Sequence, residues 1–477
     1  MKMIIGGKKV DSKDGAVIQV INPATQELID TVPSAAEEDI EKCLEIAQQG
    51  KKVWAGTPLP ERARILLKYA DVIEAHKAEL AELACRELGK PISEFEGEIG
   101  EAVKIIRGFV ERANHLYGEV IPLDMGGSDQ DIIFTRHEPL GVIACIVPFN
   151  YPIMLYAFKI APALIMGNAA VVKPATDNPL AVIRLVELLL ECGVPEAAVQ
   201  VVTGRGSTLG KLITSSSKID AVAMTGSTEV GIDILKASAL PMHRVFLELG
   251  GNDAMIVYED ADMGLAVNEV YAMRTFNAGQ TCCAPKRFLV QNPIKEEFTK
   301  RLIEKLTKVV AGNPLDRDTV FGCLVSEKAA IAVEKQIKLT VEQGAKLIYG
   351  GKRDRAFFQP AVLTDVTGDM DIAVDMEVFG AVFPIIGFDT TEEALRIANA
   401  SQYGLCGGVI SSDVNKAVKT ASQLEAGTVV INGSGFYRTA DMAFGGYKMS
   451  GLGREGISCT LEEMSQIKTY VLKGILK

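Results

Sequence analysis

The chain has 477 residues, enough for two or three domains, and its 48% apolar and 23% charged composition is typical of a globular protein with a large core. Its formal net charge of −11 disfavours a nucleic-acid partner, because phosphate binding requires a basic surface. The long apolar stretch Tyr151–Val172 includes lysine, proline, glycine and asparagine, which a membrane-spanning helix rarely tolerates. We therefore expect neither a nucleic-acid partner nor a membrane association.

The nine cysteines are odd in number and scattered, and the N-terminal residues do not resemble a secretory signal. These features predict free thiols and a reducing, cytoplasmic setting. The four histidines stand far apart, and no CxxC pair occurs. We therefore do not expect a metal site with histidine or cysteine ligands.

The first third of the chain is predicted to be a β-hairpin followed by helices. Asp14–Gly15 is a turn signal within the hairpin, and the segment from Ala35 to about Gly118 has helical periodicity. One helical face is predicted to contain Leu66, Leu67, Ala70 and Ile73. Residues Glu119–Glu138 are expected to be extended, with a turn at Gly126–Gly127 that makes a protruding hairpin.

From Gly141 onward, short apolar strands alternate with helices. Strands are predicted at 142–147, 169–172, 199–202 and 221–224, and helices at 153–165, 180–192, 209–215 and from 228. The alternation restarts after Gly251, with strands at 254–257 and 287–290 and helices at 261–276 and 295–310. Such buried strands between helices indicate doubly wound parallel sheets. A last strand, without an assignable partner, is predicted at 466–472.

A cysteine pair and a glutamate carry the most informative chemistry. Cys282 and Cys283 stand in the glycine-bearing segment FNAGQTCCA, and Glu248 stands in the apolar run LELGG. A thiol and a carboxylate of raised pKa are what covalent catalysis followed by general-base hydrolysis requires. No histidine occurs in either segment, which disfavours a cysteine–histidine pair. Taken singly, each residue could equally be a core thiol or a buried ion-pair partner.

Two glycine-rich turns follow predicted strands and open predicted helices. The segment Gly204–Gly210 nearly matches a dinucleotide fingerprint, with one extra residue before its last glycine. The segment Met224–Gly231 places Gly226 and Ser227 at a helix start, where free N–H groups attract pyrophosphate. A tight turn and a simple helix cap are the alternatives.

Two further strand ends carry polar side chains. Lys173 ends a buried strand, where ligands of parallel sheets bind, and either contacts ribose or phosphate or faces solvent. Asn150, in VPFNYP, either forms a turn or donates to an oxyanion. Spacing alone leaves both choices open.

Taken together, these segments resemble the aldehyde dehydrogenase superfamily over nearly the whole chain. The motifs PFN, KPAT, GSTEVG, LELGG, FNAGQTC, EVFG and FGGYK occur in the family's order. The resemblance implies an α/β fold with a Rossmann-like cofactor domain, an α/β catalytic domain and a small β oligomerisation element. The predicted divisions are 1–118 with 139–249, then 250–449, and finally 119–138 with 465–477. It also implies a homodimer or a homotetramer.

The resemblance implies an NAD(P)-dependent oxidation of an aldehyde to a carboxylic acid. Cys282 corresponds to the nucleophile that forms the thiohemiacetal and thioester, Asn150 to the oxyanion donor and Glu248 to the deacylation base. The implied cofactor residues are Val147, Pro148, Phe149, Lys173, Thr176, Gly206, Gly226, Ser227, Leu249, Glu377 and Phe379. No metal is implied.

Two departures from the family pattern matter. Thr176 stands where many members have a glutamate that repels the 2′-phosphate of NADP, so we expect NADP to be used at least as readily as NAD. Phe149 stands where many have tryptophan, and it also occurs in a CoA-acylating semialdehyde branch. Because that branch lacks a glutamate at the position of Glu248, hydrolysis is favoured over CoA acylation. A non-enzymatic binding protein on the same fold is the other alternative.

The substrate is predicted only by class, as a small hydroxyaldehyde or semialdehyde. Thr281 occurs in succinate-semialdehyde-type members, and the loop with Phe436 and Arg438 is similar to that of a branch with lactaldehyde and glycolaldehyde enzymes. Arg438 either pairs with an anionic substrate group or faces solvent. Phe158 and Tyr156 are predicted to line the substrate tunnel.

Overall fold

The computed structural model describes residues 1–123 and 127–476, which form two large β-sheets, smaller sheets and covering helices. The helices are α1 (Glu37–Ala55), α2 (Leu59–Ala75), α3 (Lys77–Leu88), α4 (Ile92–Ala113), α5 (Pro152–Ile165), α6 (Leu180–Glu191), α7 (Gly206–Thr214), α8 (Thr228–Ser238), α9 (Met263–Thr275), α10 (Asn292–Leu306), α11 (Glu327–Glu342), α12 (Thr391–Asn399), α13 (Val414–Ala421) and α14 (Ile457–Glu463). The strands are β1 (Met3–Ile5), β2 (Lys8–Val10), β3 (Val17–Ile21), β4 (Leu28–Pro33), β5 (Val120–Ile121), β6 (Ile132–Pro139), β7 (Val142–Ile146), β8 (Ala169–Lys173), β9 (Val199–Val201), β10 (Ala221–Thr225), β11 (Arg244–Glu248), β12 (Ala254–Val257), β13 (Arg287–Gln291), β14 (Lys346–Tyr349), β15 (Arg353–Asp354), β16 (Phe357–Phe358), β17 (Ala361–Val366), β18 (Val382–Phe388), β19 (Tyr403–Gly404), β20 (Cys406–Ile410), β21 (Thr428–Ile431), β22 (Tyr447–Lys448), β23 (Gly451–Leu452) and β24 (Ser465–Leu472).

The first sheet has the order β2-β1-β9-β8-β7-β10-β11-β23, and its strands from β9 to β11 are parallel. Strand β7 shows why helices cover this sheet on both of its faces. Val142 and Ala144 pack with α1 and α7, whereas Ile143 and Cys145 pack with the helices of the opposite face. Because successive strand residues point to opposite faces, a run that is apolar throughout needs cover on both sides. This arrangement confirms the predicted doubly wound sheet.

The second sheet has the order β14-β17-β18-β13-β12-β20-β21 and is parallel except for β14. Its own apolar core includes residues from α9, α10 and α11. The chain then returns to the first sheet, where β23 pairs with the end of β11. The site described below therefore lies where segments of both sheets meet, and the division into domains stays a prediction.

A third, three-stranded sheet explains the C-terminal strand. Strand β24 pairs antiparallel with β6, from Ser465 opposite Pro139 to Leu472 opposite Ile132, and β5 lies on the other side of β6. The predicted strand at 466–472 thus gains the partner that its sequence could not identify. Gly126, in the predicted turn, lies outside the described residues, as does Lys477 of the predicted segment 465–477.

Three local predictions are wrong or incomplete. The N-terminal hairpin turns at Gly6–Gly7, whose φ angles of 60° and 71° suit a two-residue hairpin turn, and not at Asp14–Gly15. Leu67 is 38% exposed, so the apolar face of α2 is narrower than expected. Strand β11, which carries Glu248, is absent from the predicted strands. No helix in 1–123 or 127–476 combines the length and apolarity needed to cross a membrane.

Candidate active site

The loop before Cys282 is held in an unusual backbone conformation. Helix α9 runs into a short 3₁₀ turn, Phe276–Gly279, in which Asn277 and Ala278 have φ angles of 48° and 51°. Residues with a β-carbon rarely adopt this left-handed region unless surrounding contacts enforce it. Gly279 also has positive φ, and a β-carbon there would lie 2.4 Å from the backbone of Gly380. The nucleophile loop is therefore packed directly against the EVFG segment.

Side-chain hydrogen bonds fix this loop to three other segments. Glu94 Oε2 accepts from the Asn277 backbone N–H at 3.0 Å, and Asn277 Nδ2 donates to the Asn150 carbonyl at 3.0 Å. Gln280 Oε1 accepts from the backbone N–H of Val325 at 2.9 Å. The segment that carries Asn150 and the loop that carries Cys282 are thus connected by direct bonds.

Cys282 and Glu248 lie in the walls of two neighbouring cavities. One cavity, of about 430 Å³, has mainly aromatic and apolar walls, and the other, of about 560 Å³, lies at the ends of the first sheet's strands. Both residues line both cavities. Asn150, at 4% exposure, lines only the second one. The predicted catalytic residues therefore converge where two ligand-sized spaces meet.

The surroundings of Glu248 and Cys282 hold protons on both groups. Burial, followed by the proximity of Cys282 and Glu455, raises the pKa of Glu248 well above its ordinary value. Neither carboxylate oxygen of Glu248 has a nitrogen or oxygen hydrogen-bond partner among the described residues. Contact with the Cys283 thiol, together with burial, raises the pKa of Cys282, and Lys286 opposes this rise. Such environments are characteristic of catalytic groups.

Most of the predicted cofactor residues form the second cavity. Those that line it are Pro148, Phe149, Gly226, Ser227, Leu249, Glu377 and Phe379. The rings of Phe149 and Phe379 meet edge to face, with centroids 5.8 Å apart. A side chain at Gly250 would lie 2.5 Å from Glu377 Oε2, so glycine allows this carboxylate to reach the cavity wall.

Four predicted cofactor residues do not line this cavity. Val147 follows β7, and its backbone N–H donates to the carbonyl of Lys173 at 3.0 Å. Lys173 is buried at the end of β8; burial lowers its pKa to about 8, and its Nζ donates to the Pro174 carbonyl. Thr176 donates to the Gly204 carbonyl at 3.3 Å, and Gly206 begins α7.

The second cavity suits a dinucleotide. Gly226 and Ser227 precede α8, whose first N–H groups face the end of the sheet, and Ser227 caps the helix by accepting from the Val230 N–H at 3.4 Å. A β-carbon at Gly226 would lie 2.5 Å from the Met224 methyl group, so a larger residue there would require the Met224 side chain to move. The fit of these residues supports nicotinamide cofactor binding.

The first cavity is an aromatic tunnel that leads to Cys282. Its walls include Tyr151, Phe158, Phe276 and Phe436. The Thr281 hydroxyl lies 3.1 Å from the Tyr151 hydroxyl, which orients both groups beside the thiol. Phe158, Thr281, Phe436 and Arg438 line this cavity, and their roles toward a substrate stay predictions.

Tyr156 does not line the tunnel, so this part of the prediction is wrong. It is buried in the core, where its hydroxyl lies 3.3 Å from that of Tyr69. Tyr156 and Phe158 are two positions apart on α5, and only Phe158 is on the face that borders the cavity. Because two residues of a helix are about 200° apart, they cannot share one narrow face.

The guanidinium of Arg438 is in contact with protein groups, although its buried Nε has no hydrogen-bond partner among the described residues. It lies between the rings of Phe158 and Phe444, at 4.3 and 4.2 Å, and donates to Glu455 Oε2 at 3.0 Å. Glu455 also pairs with Lys159 at 3.1 Å. Burial would raise the pKa of Glu455, but these two cations keep it below its ordinary value. Arg438 therefore acts within the protein's own ion-pair network.

Sequence reasoning missed several residues of this site. Asn277 and Gln280 belong to the FNAGQTC motif, so the motif itself could have drawn attention to them. Glu455 and Lys286 carry no comparable signal, because their ionic partners, Lys159 and Arg438 for Glu455 and Glu377 for Lys286, lie in other segments. Lys286 is buried and donates to the carbonyl of Cys282.

The chain is similar to known proteins over nearly its whole length. The profile described as "Aldehyde dehydrogenase family" matches residues 9–470. The chain is similar to a lactaldehyde dehydrogenase of Methanococcus aeolicus, with 38% identity over 98% of this chain and 99% of that one. It is also similar to a 3-sulfolactaldehyde dehydrogenase of Priestia aryabhattai, with 37% identity over 95% and 94%.

The chain is also similar in fold to solved structures. A betaine aldehyde dehydrogenase from Staphylococcus aureus in complex with NAD+ has a TM-score of 0.96 and 35% identity, with 99% of this chain and 95% of that one covered. An NADP-dependent enzyme from E. coli has a TM-score of 0.95 and 34% identity, with coverage of 99% and 98%. The likeness therefore extends over essentially the whole fold.

Proposed function

Because the chain belongs to the aldehyde dehydrogenase family, we propose that Cys282, Glu248 and Asn150 carry out its reaction on a small, uncharged hydroxyaldehyde. The protein is an NAD(P)-dependent enzyme that oxidises an aldehyde to a carboxylic acid. The observation that carries the residue assignment is the position of Cys282 and Glu248 in the walls of both cavities.

In the first half of the reaction, the Cys282 thiolate attacks the aldehyde carbon that enters through the aromatic tunnel. The resulting oxyanion accepts hydrogen bonds from the Asn150 side-chain amide and the Cys282 backbone N–H. Asn150 can be placed reproducibly because its own backbone carbonyl is bonded to Asn277 in the nucleophile loop. The residues of the second cavity would hold the nicotinamide cofactor, which would supply the hydride acceptor for this half of the reaction.

In the second half, Glu248 removes a proton from water, which then attacks the Cys282 thioester and releases the acid. The raised pKa of Glu248 makes it a stronger base than an ordinary carboxylate once it is ionised. Because the Cys282 thiol is the hydrogen-bonding group beside this carboxylate, a water bound by Glu248 would lie next to the sulfur that carries the thioester. This arrangement supports hydrolysis, and CoA acylation is not favoured.

The preference between NADP and NAD is proposed from the absence of a negative charge on the side chain of residue 176. Thr176 puts no negative charge beside Gly204, so nothing at this position repels a 2′-phosphate. Asp177 does line the cavity, but it faces two cations, Lys173 and Lys328. We therefore favour NADP use at least equal to NAD use, which agrees with the similarity to a solved NADP-dependent enzyme.

The substrate class is proposed from the residues that line the aromatic tunnel. Its aromatic walls favour a small organic molecule, and the positive charge of Arg438 is already paired with Glu455. An anionic semialdehyde would therefore meet a cation whose charge Glu455 already offsets. The similarity to lactaldehyde dehydrogenases fits a neutral hydroxyaldehyde. Because the similarity to a 3-sulfolactaldehyde dehydrogenase includes a relative named for an anionic aldehyde, the preference for a neutral substrate rests on the paired state of Arg438.

A kinetic panel tests this proposal. Lactaldehyde and glycolaldehyde should give a higher kcat/KM than succinate semialdehyde of matched concentration range, with either cofactor. The product should be the free acid, and added CoA should neither be consumed nor raise the rate. A preference for the anionic semialdehyde would refute the substrate class, and acyl-CoA formation would refute hydrolysis.

We also propose a homo-oligomer in a cytoplasmic setting. Strand β24 is an edge of the three-stranded sheet, and Ile467 and Val471 on it are 67% and 53% exposed. Exposed apolar edges commonly pair with a second chain. All nine cysteines are unpaired, as a reducing compartment would keep them. An Ile467→Lys variant that keeps the mass of the parent assembly in light scattering would contradict this interface.

A further inference from the structure

Lys286 lies beneath the nucleophile loop with its side chain fully buried. Its ammonium group donates to the carbonyl of Cys282 and, at 3.4 Å, to that of Ala284. It also forms an ion pair with Glu377 Oε1 at 3.4 Å. One cation therefore connects the loop that carries the thiol with the segment that lines the second cavity.

The position of Lys286 is costly unless its charge is used. Burying an ammonium group costs several kcal/mol unless partners compensate for it. Carbonyl oxygens alone could be satisfied by a neutral donor, so they do not require a full positive charge. The negative groups that could require it are the carboxylates of Glu377 and Asp253 and the thiolate form of Cys282, which lies in the loop that Lys286 holds.

Of the other titratable groups that face Cys282, Glu248 at the end of β11 lowers the pKa of the thiol through a side-chain hydrogen bond but carries no positive charge, and Cys283 in the same loop raises that pKa. Cys406 on β20 faces the same region and is itself beside Asp253. Asp253 faces Lys286 from the start of β12 and keeps one oxygen without a hydrogen-bond partner.

We propose that Lys286 is a positioning residue that holds the Cys282 loop against Glu377 and supplies the positive charge that stabilises the Cys282 thiolate. This inference rests on the proposed role of Cys282 as the nucleophile. Lys286 would thus supply the positive charge near the thiol that a histidine supplies in a cysteine–histidine pair. The opposition of Lys286 to the raised pKa of Cys282 has the sign that this role requires.

The proposal gives Lys286 and Glu377 opposite effects. Without the Lys286 charge, the thiolate loses its counter-ion, so Cys282 should ionise at higher pH. Without the Glu377 charge, Lys286 loses a competing anion, so Cys282 should ionise at lower pH. A role limited to holding the loop in place predicts no such opposition, because loosening either contact would disturb the loop in the same way.

The test measures the rate at which iodoacetamide alkylates Cys282 as a function of pH, without cofactor or substrate. All proteins carry Cys283→Ala, and peptide mass spectrometry identifies the labelled residue. In Lys286→Gln, which keeps N–H donors but lacks the charge, the midpoint should rise by about one pH unit. In Glu377→Gln it should fall, and Lys308→Gln, a change at an exposed lysine, should match the parent.

An unchanged or lower midpoint in folded Lys286→Gln would overturn the proposal, and so would a higher or unchanged midpoint in Glu377→Gln. If Lys286→Gln does not fold, Glu377→Gln alone decides, because it retains the buried cation. These outcomes are separate from a failure of the proposed function. That failure would appear as full turnover in Cys282→Ala, whereas the alkylation midpoints require no turnover.

Discussion

Cys282 and Glu248 border the same two cavities, so the thiol and the carboxylate face the aromatic tunnel and the cofactor-sized cleft at once. A substrate bound to Cys282 would therefore be open to hydride loss on one side and within reach of water activated by Glu248. Their proximity also raises the pKa of Glu248, after the larger effect of burial. The two halves of the proposed reaction thus depend on one pair of neighbouring side chains.

Replacing each of the two adjacent cysteines in turn should show which thiol is the nucleophile. Cys282→Ala should lower kcat by on the order of 10³-fold or more, because no other group can form the thioester. Cys283→Ala is the matched control, and it should retain most of the parent activity because Cys283 is not proposed to react. Steady-state NADPH formation measures both. The assignment would be reversed if only Cys283→Ala were inactive.

Replacing the proposed base, Glu248, should cause the acyl-enzyme to accumulate. Glu248→Gln preserves shape but cannot remove a proton from water, so deacylation should slow by roughly 10²–10⁴-fold. Rapid-mixing experiments should then show a full burst of NADPH followed by a slow steady state. Steady-state turnover equal to that of the parent would show that another group is the base.

The pH dependence of turnover should follow from the raised pKa of Glu248. A raised pKa keeps the carboxyl protonated, and thus inactive as a base, to higher pH than in an ordinary glutamate. A deacylation-limited kcat should therefore increase with pH through the neutral range. The rate of acid release from a preformed acyl-enzyme measures this directly. A rate that is constant from pH 5 to pH 8 would contradict the assignment of Glu248.

The preference between NADP and NAD should change when one negative charge is introduced at position 176. Thr176→Glu should lower kcat/KM for NADP by about tenfold or more, because like-charge repulsion near 1.4 kcal/mol corresponds to that factor. The value for NAD should change much less, and Thr176→Gln should serve as the uncharged control. A parent enzyme that prefers NAD by about a hundredfold would contradict the reading of Thr176.

Arg438 should support the tunnel wall without selecting anions. Arg438→Gln leaves Glu455 with Lys159 as its remaining cationic partner, so we expect a loss of roughly 1–3 kcal/mol in unfolding free energy. KM should rise similarly for lactaldehyde and for succinate semialdehyde. Chemical denaturation and the kinetic panel measure these effects. A selective loss of the anionic substrate would show that Arg438 binds it.

Much of the fold follows from local pattern. Each of the central strands of the first sheet is an apolar run between helices, and such a run can be buried only in a sheet that is covered on both faces. The hairpin turn was mistaken because Gly6–Gly7 and Asp14–Gly15 are both turn signals, and only the pairing of β1 with β2 distinguishes them. Strand β11 was missed because strand pairing with β10, and not its own pattern, defines it.

The sequence by itself determined the family, and with it the residues proposed as nucleophile, base and oxyanion donor, because these residues belong to short motifs in a fixed order. Tertiary structure alone paired Lys286 with Glu377 and Arg438 with Glu455, and buried Tyr156 in the core. Each of these relationships depends on groups that different segments bring together or on the side of a helix that packing buries. A linear pattern carries neither kind of information, because both are set by how distant segments fill space.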